Sequence, residues 1–139
     1  MIWKSWQELP DDMRCEAIRP YYDILASKRR DLMIKSVFDR LMAAILLVVL
    51  SPIFLLFAVW IKLDSEGPVF FRQERITQYG KSFRIYKFRT MVQNAEQLGA
   101  QVTSKGDMRV TSVGQALRKC RLDELPQLIN ILEGTMSFV

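Results

Sequence analysis

Histidine is absent from this 139-residue chain. Its absence removes the commonest general base and zinc ligand, so any catalysis must run on carboxylates, Lys, Arg, Ser, Thr, Tyr or Cys. Cysteine is scarce too. Cys15 and Cys120 are the two present, and their separation matches neither a disulfide framework nor metal-ligand spacing. Both thiols are expected to be reduced, in a cytosolic setting. Glycine is sparse, and "GKS" at Gly80 to Ser82 lacks the upstream glycine and the strand-to-helix context of a phosphate-binding P-loop. There is no internal repeat and no low-complexity tract, and the length leaves no room for two independent cores. The long apolar run begins at Leu41 and follows charged sequence. It therefore lacks the form of a cleavable signal peptide.

What is present begins with charge. Twenty Lys and Arg against fifteen Asp and Glu leave +5, which favours anionic partners such as phosphate esters, nucleic acid or acidic lipid headgroups. The uncharged run from Leu41 to Ile61 would make a helix of roughly 30 Å, enough to cross a hydrocarbon core. Its flanks are symmetric, however. Lys28, Arg29, Arg30, Lys35 and Arg40 precede it and Lys62, Arg72, Arg75 and Lys81 follow it, so both ends ask for the cytoplasm. In its middle stand Ser51 and Pro52. Pro52 cannot donate to the carbonyl of Val48, and a straight helix there costs about 3 kcal/mol. Ser51 is expected to hydrogen-bond back to the carbonyl of Leu47. A kinked span and a re-entrant helix over about residues 37–63 both satisfy the bend, and the symmetric flanks favour re-entry.

Residues 1 to 34 read as a helical arm, with Pro10 and Pro20 suited to first helical turns. Trp3, Trp6, Tyr21 and Tyr22 suit either a membrane interface or packing on the protein's own core. Residues 35 to 139 form the remaining unit. "VFFRQERI" and "SFRIYKFRTM", separated by "TQYG", read as a β-hairpin. "NAEQLGAQV" reads as a short helix followed by a polar loop through "TSKGD". In "SVGQALRKC", Val113, Ala116, Leu117 and Cys120 fall at helical spacing, as do Leu125, Leu128, Ile129 and Leu132 in "LPQLINIL". The predicted fold is α+β and mostly helical: an arm, a bent membrane segment, a hairpin and short amphipathic helices at the membrane surface.

Chemistry concentrates in "RKCRLDELPQL". Asp123 is placed to cap the second short helix, with Glu124 in its first turn, and acidic residues there need no further function. Yet Arg118, Lys119 and Arg121 lie just before them, and cations beside a helix N-terminus also make an anion site. Adjacent carboxylates with cations suit metal-assisted phosphoryl transfer, because they stay ionised. A second cluster, "FRIYKFRTM", sets Lys87 and Arg89 on one strand face by alternation. It reads as a phosphate surface or as a solvated hairpin edge. Nucleic acid is disfavoured, since the usual RNA-binding signatures are missing. A non-catalytic membrane anchor with a basic face for acidic lipids remains as the alternative to an enzyme.

The segments "KSVFDRLMAAILLVVLSPIFLLFAVWIKLDSEGPVFFRQERI", "GKSFRIYKFRTM", "DMRVTSVGQALRKCRLDELPQLINIL" and "EGTMSFV" resemble, in order, the bacterial sugar transferases that act as monotopic polyprenyl-phosphate phosphoglycosyl transferases. The resemblance covers Lys35 to Val139. It implies transfer of a sugar 1-phosphate from a nucleotide diphosphate sugar, usually a UDP-sugar, to undecaprenyl phosphate, opening exopolysaccharide, capsule or glycan assembly at the cytoplasmic face of the bacterial inner membrane. It further implies Asp123 as nucleophile with Glu124 as its partner, Mg²⁺ at these two carboxylates, and Arg118, Lys87 and Arg89 toward the phosphates. Lys35, Asp39 and Arg40 correspond to the point where the chain enters the membrane, and Ser51-Pro52 to a helix-break-helix motif. Membrane lipids are implied partners, nucleic acid is not, and an oligomer is left open. Two departures stand out. Thr135 replaces a family Asp, and the chain stops at Val139, before a family segment rich in basic and proline residues. A chain cut there is expected to be weak or inactive alone.

Overall fold

The computed structural model describes residues 4–95 and 107–138. The arm opens with two 3₁₀ turns, Trp6–Glu8 and Asp11–Met13, followed by α1 (Arg19–Ser27) with Pro20 in its first turn. Trp6 meets Tyr22 edge-on at 5.1 Å, and the Tyr22 hydroxyl donates to the Lys4 carbonyl. These two arm aromatics therefore pack on each other. Tyr21 is 70% exposed, and Trp3 lies outside the described residues.

A single residue separates α1 from α2 (Arg29–Val49), and α3 (Ser51–Asp64) follows with a bend of 61°. The bend has a local cause. Pro52 leaves the Val48 carbonyl without its usual donor. The Ser51 hydroxyl donates to that same carbonyl at 2.8 Å, correcting the expectation of Leu47. One side chain thus repairs what its neighbour breaks. Among the described residues no single helix is long and apolar enough to cross a membrane, although α2 and α3 meet that test as a bent pair.

The predicted hairpin is present as β1 (Phe70–Ile76) and β2 (Ser82–Phe88), antiparallel, with Phe70 opposite Phe88 and Ile76 opposite Ser82. Its turn closes with the Thr77 amide donating to the Lys81 carbonyl and takes positive φ at Tyr79 and Gly80. Two short helices complete the fold, α4 (Ser112–Lys119) and α5 (Gln127–Glu133). Thr111 caps α4 through the Gly114 amide, and Asp64 at the end of α3 accepts from the Val113 amide. The expected helix from Asn94 to Val102 lies mostly outside the described residues.

Two apolar clusters hold these pieces together. In the first, Phe88 is 1% exposed beside Ile61, Val113 and Leu117, with the rings of Phe54, Phe57 and Phe70 within 5.7 Å. The second joins Ala43, Leu46, Leu47 and Leu50 of α2 and its end to Leu128 and Ile131 of α5. Helical spacing misplaced part of both short helices: Ala116, Cys120 and Leu132 are exposed, while Ile131 and Asn130 are buried. The opposite side of α2 and α3, including Leu41, Ile45, Val48, Ile53, Leu56 and Leu63, remains exposed. A continuous uncovered apolar surface of this kind marks a membrane or partner contact.

Candidate active site

Between the hairpin, the end of α4 and the link before α5 lies a cleft of about 830 Å³. Arg72, Lys87, Arg109, Arg118 and Arg121 bring five cations to it, against the carboxylates Glu74, Asp123 and Glu124. Such a surplus, in a partly enclosed space, favours an anionic ligand.

Asp123 reaches the cleft because of a strained turn. After α4 the chain reverses at Arg121, whose φ of 58° is left-handed, into a 3₁₀ turn at Leu122–Glu124. A non-glycine residue in this region is uncommon, and such strain concentrates at functional sites. The turn also corrects one expectation, since Asp123 does not cap the second short helix. The residue preceding α5 is Pro126.

The two neighbouring carboxylates are held differently. Glu124 accepts from Lys87 at 3.2 Å and from Arg121 at 3.4 Å. Burial opposes its ionisation, but the hydrogen bond and charge of Lys87, with Arg121 adding to them, hold the carboxyl below its ordinary value. Asp123 is only 8% exposed. Its side chain takes no hydrogen bond or ion pair from another described residue. A carboxylate with free lone pairs at the wall of a cationic cleft is available to attack an electrophile.

Arg118, like Lys87, is a cation that sequence and geometry place alike. It forms no ion pair among the described residues, and its Nε donates to Thr90 Oγ1 at 2.8 Å. The close approach that permits this depends on Gly114, because a Cβ there would overlap the Thr90 carbonyl. Neither Thr90 nor Gly114 was legible as part of a site. Arg109 forms the far wall, clamped by Asp107 at 2.6 Å and donating to the Ala95 carbonyl at 3.0 Å. The guanidinium holds the Asp107 carboxyl down at about 2.

Arg89 is elsewhere. Strand alternation predicted that it would share a face with Lys87, but β2 ends at Phe88 and the chain turns there. The Arg89 side chain is buried and donates to the Ser65 carbonyl at 2.6 Å and the Ser65 hydroxyl at 2.9 Å, closing the end of α3. Burial pulls its pKa down, with Asp64 opposing. Arg89 therefore serves the helix C-terminus, where a cation is stabilising, and does not line the cleft.

Lys35, Asp39 and Arg40 form a separate latch on α2. Buried Asp39 accepts from Lys35 Nζ at 2.7 Å and from the Ser137 hydroxyl at 2.6 Å, while Lys35 also donates to the Phe138 carbonyl. Arg40 lies over Gly134, whose φ of 81° is left-handed; a Cβ there would stand 2.5 Å from the guanidinium. Ser51 and Pro52 sit at the bend, outside the cleft lining.

For a divalent cation, the donor set is short. Among the described residues no three His, Cys, Asp or Glu side chains gather as ligands. Two adjacent carboxylates do suit Mg²⁺ that arrives with a diphosphate, since Mg²⁺ is commonly held by one or two carboxylates plus substrate phosphates. They do not make an all-protein cage.

The family of bacterial sugar transferases matches residues 30–139 of this chain. A UDP-N-acetylgalactosamine-undecaprenyl-phosphate N-acetylgalactosaminephosphotransferase of Aeromonas hydrophila is 54% identical over 106 residues, 76% of this chain and 25% of that protein. A UDP-glucose:undecaprenyl-phosphate glucose-1-phosphate transferase of Escherichia coli is 41% identical over 130 residues, 93% of this chain and 28% of that protein. The exopolysaccharide production protein PSS of Rhizobium leguminosarum is 44% identical over 110 residues, 78% of this chain and 55% of that protein. The chain thus spans from a quarter to just over half the length of these relatives.

Proposed function

Because this chain belongs to the bacterial sugar transferase family, we propose that the intact protein transfers a sugar 1-phosphate from a UDP-sugar to undecaprenyl phosphate at the cytoplasmic face of the inner membrane. The observation that carries this reading is Asp123, buried, without a side-chain partner among the described residues and set in a cleft with five cations.

An Asp123 carboxylate oxygen attacks the β-phosphorus of the donor. The bond from that phosphorus to the bridging oxygen breaks, UMP leaves with the electron pair, and the phosphosugar remains on the carboxylate. An oxygen of undecaprenyl phosphate then attacks the same phosphorus, freeing Asp123 and giving the undecaprenyl diphosphate sugar. Arg118 and Lys87 face charge that grows on the transferring phosphoryl oxygens, where fixed cations act most strongly. Glu124 keeps Lys87 in place. Mg²⁺ held by Asp123 and Glu124 with the donor's phosphates would offset the diphosphate charge. The cleft's five cations outnumber its three carboxylates, which favours each phosphate substrate in turn.

The test uses the full-length protein with a UDP-sugar, Mg²⁺ and undecaprenyl phosphate, and reads UMP release. Asp123→Asn removes the nucleophilic charge without changing shape, and the rate should drop by about 10³-fold or more. Mass spectrometry of wild type with donor alone should find a phosphosugar on Asp123. Undiminished turnover by Asp123→Asn would overturn the covalent route. A protein inert toward every UDP-sugar tried, yet firmly membrane-bound, would favour the anchor reading that the exposed face of α2 and α3 also suits.

A further inference from the structure

The arm's helix α1 carries an apolar face that nothing among the described residues covers. At 100° per residue, Ile24, Tyr21, Leu25 and Ile18 occupy one arc of about 120°. They are 57%, 70%, 47% and 38% exposed. The face that is partly covered is a different one, formed by Tyr22 and Ala26. Fold stability therefore does not explain the apolar arc.

Two observations indicate what covers it. The first is continuity: only Lys28 separates α1 from α2, and the exposed stripe of α2 starts at Met33 and Ile34 and runs on to Val48. The arc on α1 thus lies close along the chain to the surface that the proposed function puts in lipid. The second is charge. Lys28, Arg29 and Arg30 lie between the two apolar segments along the chain, all exposed, which suits them to acidic headgroups. Each such cation near an anionic surface contributes about 1 kcal/mol. The arm is also braced from behind, by Trp6 on Tyr22 and by Lys4 over the Tyr79 ring at 5.2 Å.

We infer that α1 is an interfacial helix: it lies in the headgroup layer of an anionic bilayer with Ile18, Tyr21, Ile24 and Leu25 downward, flanking the bent pair α2–α3. This rests on the membrane reading of α2 and α3, and the experiment separates the two. In full-length protein with Cys15→Ser and Cys120→Ser, single sites are introduced by Tyr21→Cys, Ile24→Cys, Asp23→Cys and Leu56→Cys. Each is labelled with an environment-sensitive fluorophore in vesicles of phosphatidylethanolamine and phosphatidylglycerol. Quenching is then read with nitroxides on lipid acyl chains and with aqueous iodide.

Labels at 21 and 24 should lose most of their emission to a shallow nitroxide, the label at 23 to iodide, and the label at 56 to a deep nitroxide. If the label at 56 is quenched by lipid but those at 21 and 24 answer only to iodide, the inference fails and the membrane reading stands. Labels at 21 and 24 shielded from both quenchers would mean a protein cover, such as a second copy, and would equally overturn it. A label at 56 open to iodide would remove the membrane reading and the inference together.

Discussion

Among the described residues, Arg118 is held toward the cleft by one hydrogen bond, from its Nε to the hydroxyl of Thr90, a residue only 6% exposed. A hydrogen bond to a charged group contributes about 1.5–3 kcal/mol. Thr90→Val keeps the volume and removes the acceptor, so the guanidinium loses its fixed direction. On the proposed mechanism kcat should fall by about 10- to 100-fold, with a smaller change in KM for the donor and little change in Tm. Thr90→Ser should restore most of the rate. A Thr90→Val enzyme that loses Tm in proportion to rate would make Thr90 a packing residue only. The arginine was legible in the sequence because its charge stands beside two carboxylates. Its orienting partner was not, because it lies 28 residues away and no periodicity links them. Arg89 shows the opposite failure: its charge was legible, but alternation was carried one residue past the end of β2.

At the scale of elements, the hairpin is completed by a side chain. A lone two-stranded sheet is marginal in water, and the outer edge of β2 leaves backbone groups unpaired. Asn130 of α5, wholly buried, accepts from the Tyr86 amide and donates to the Arg84 carbonyl, both at 2.9 Å. The amide thus takes the part of a third strand and docks α5 to the sheet. Asn130→Ala abandons both groups and opens a void, which should cost about 2–4 kcal/mol. Asn130→Asp should be worse. It still accepts from Tyr86 but sets an unpaired carboxylate against the Arg84 carbonyl. Denaturant midpoints of the detergent-solubilised protein would check both, and an Asn130→Ala protein as stable as wild type would refute the stitching role. Hairpin, bend and both short helices were legible from turn residues, Ser51-Pro52 and apolar spacing. The buried asparagine was not, since a polar residue in an amphipathic helix reads as solvent-facing until the sheet edge beside it is known.

At the scale of the whole molecule, the bend angle alone does not choose between re-entry and a kinked span. Helices of 21 and 14 residues are roughly 32 and 21 Å long. With α2 along the membrane normal, even a 61° bend leaves α3 heading onward across the bilayer. If instead both arms slope at about 30° to the plane, the bend lies only ~16 Å from the start of α2 and ~10 Å from the end of α3 along the normal, at most about half a hydrocarbon core. Packing favours the shallow V. Leu46, Leu47 and Leu50, near the apex, pack on α5, while Phe54, Phe57 and Ile61 of α3 pack on Phe88. Both arms hold one body, which carries the charged cleft; an upright α2 would drag α5 and the charged hairpin docked on it toward hydrocarbon, where ionised side chains are costly. The uncovered stripe from Leu41 to Leu63 then forms the convex side, toward lipid. On this reading the termini of the bent pair face the same compartment. Arg30→Cys and Glu66→Cys, both at exposed positions, should react with a membrane-impermeant maleimide only after the cytoplasmic side is opened, to equal extents. Labelling of residue 66 from the periplasm in intact cells would make the bend a kink in a span and place the cleft on the wrong side for its nucleotide donor.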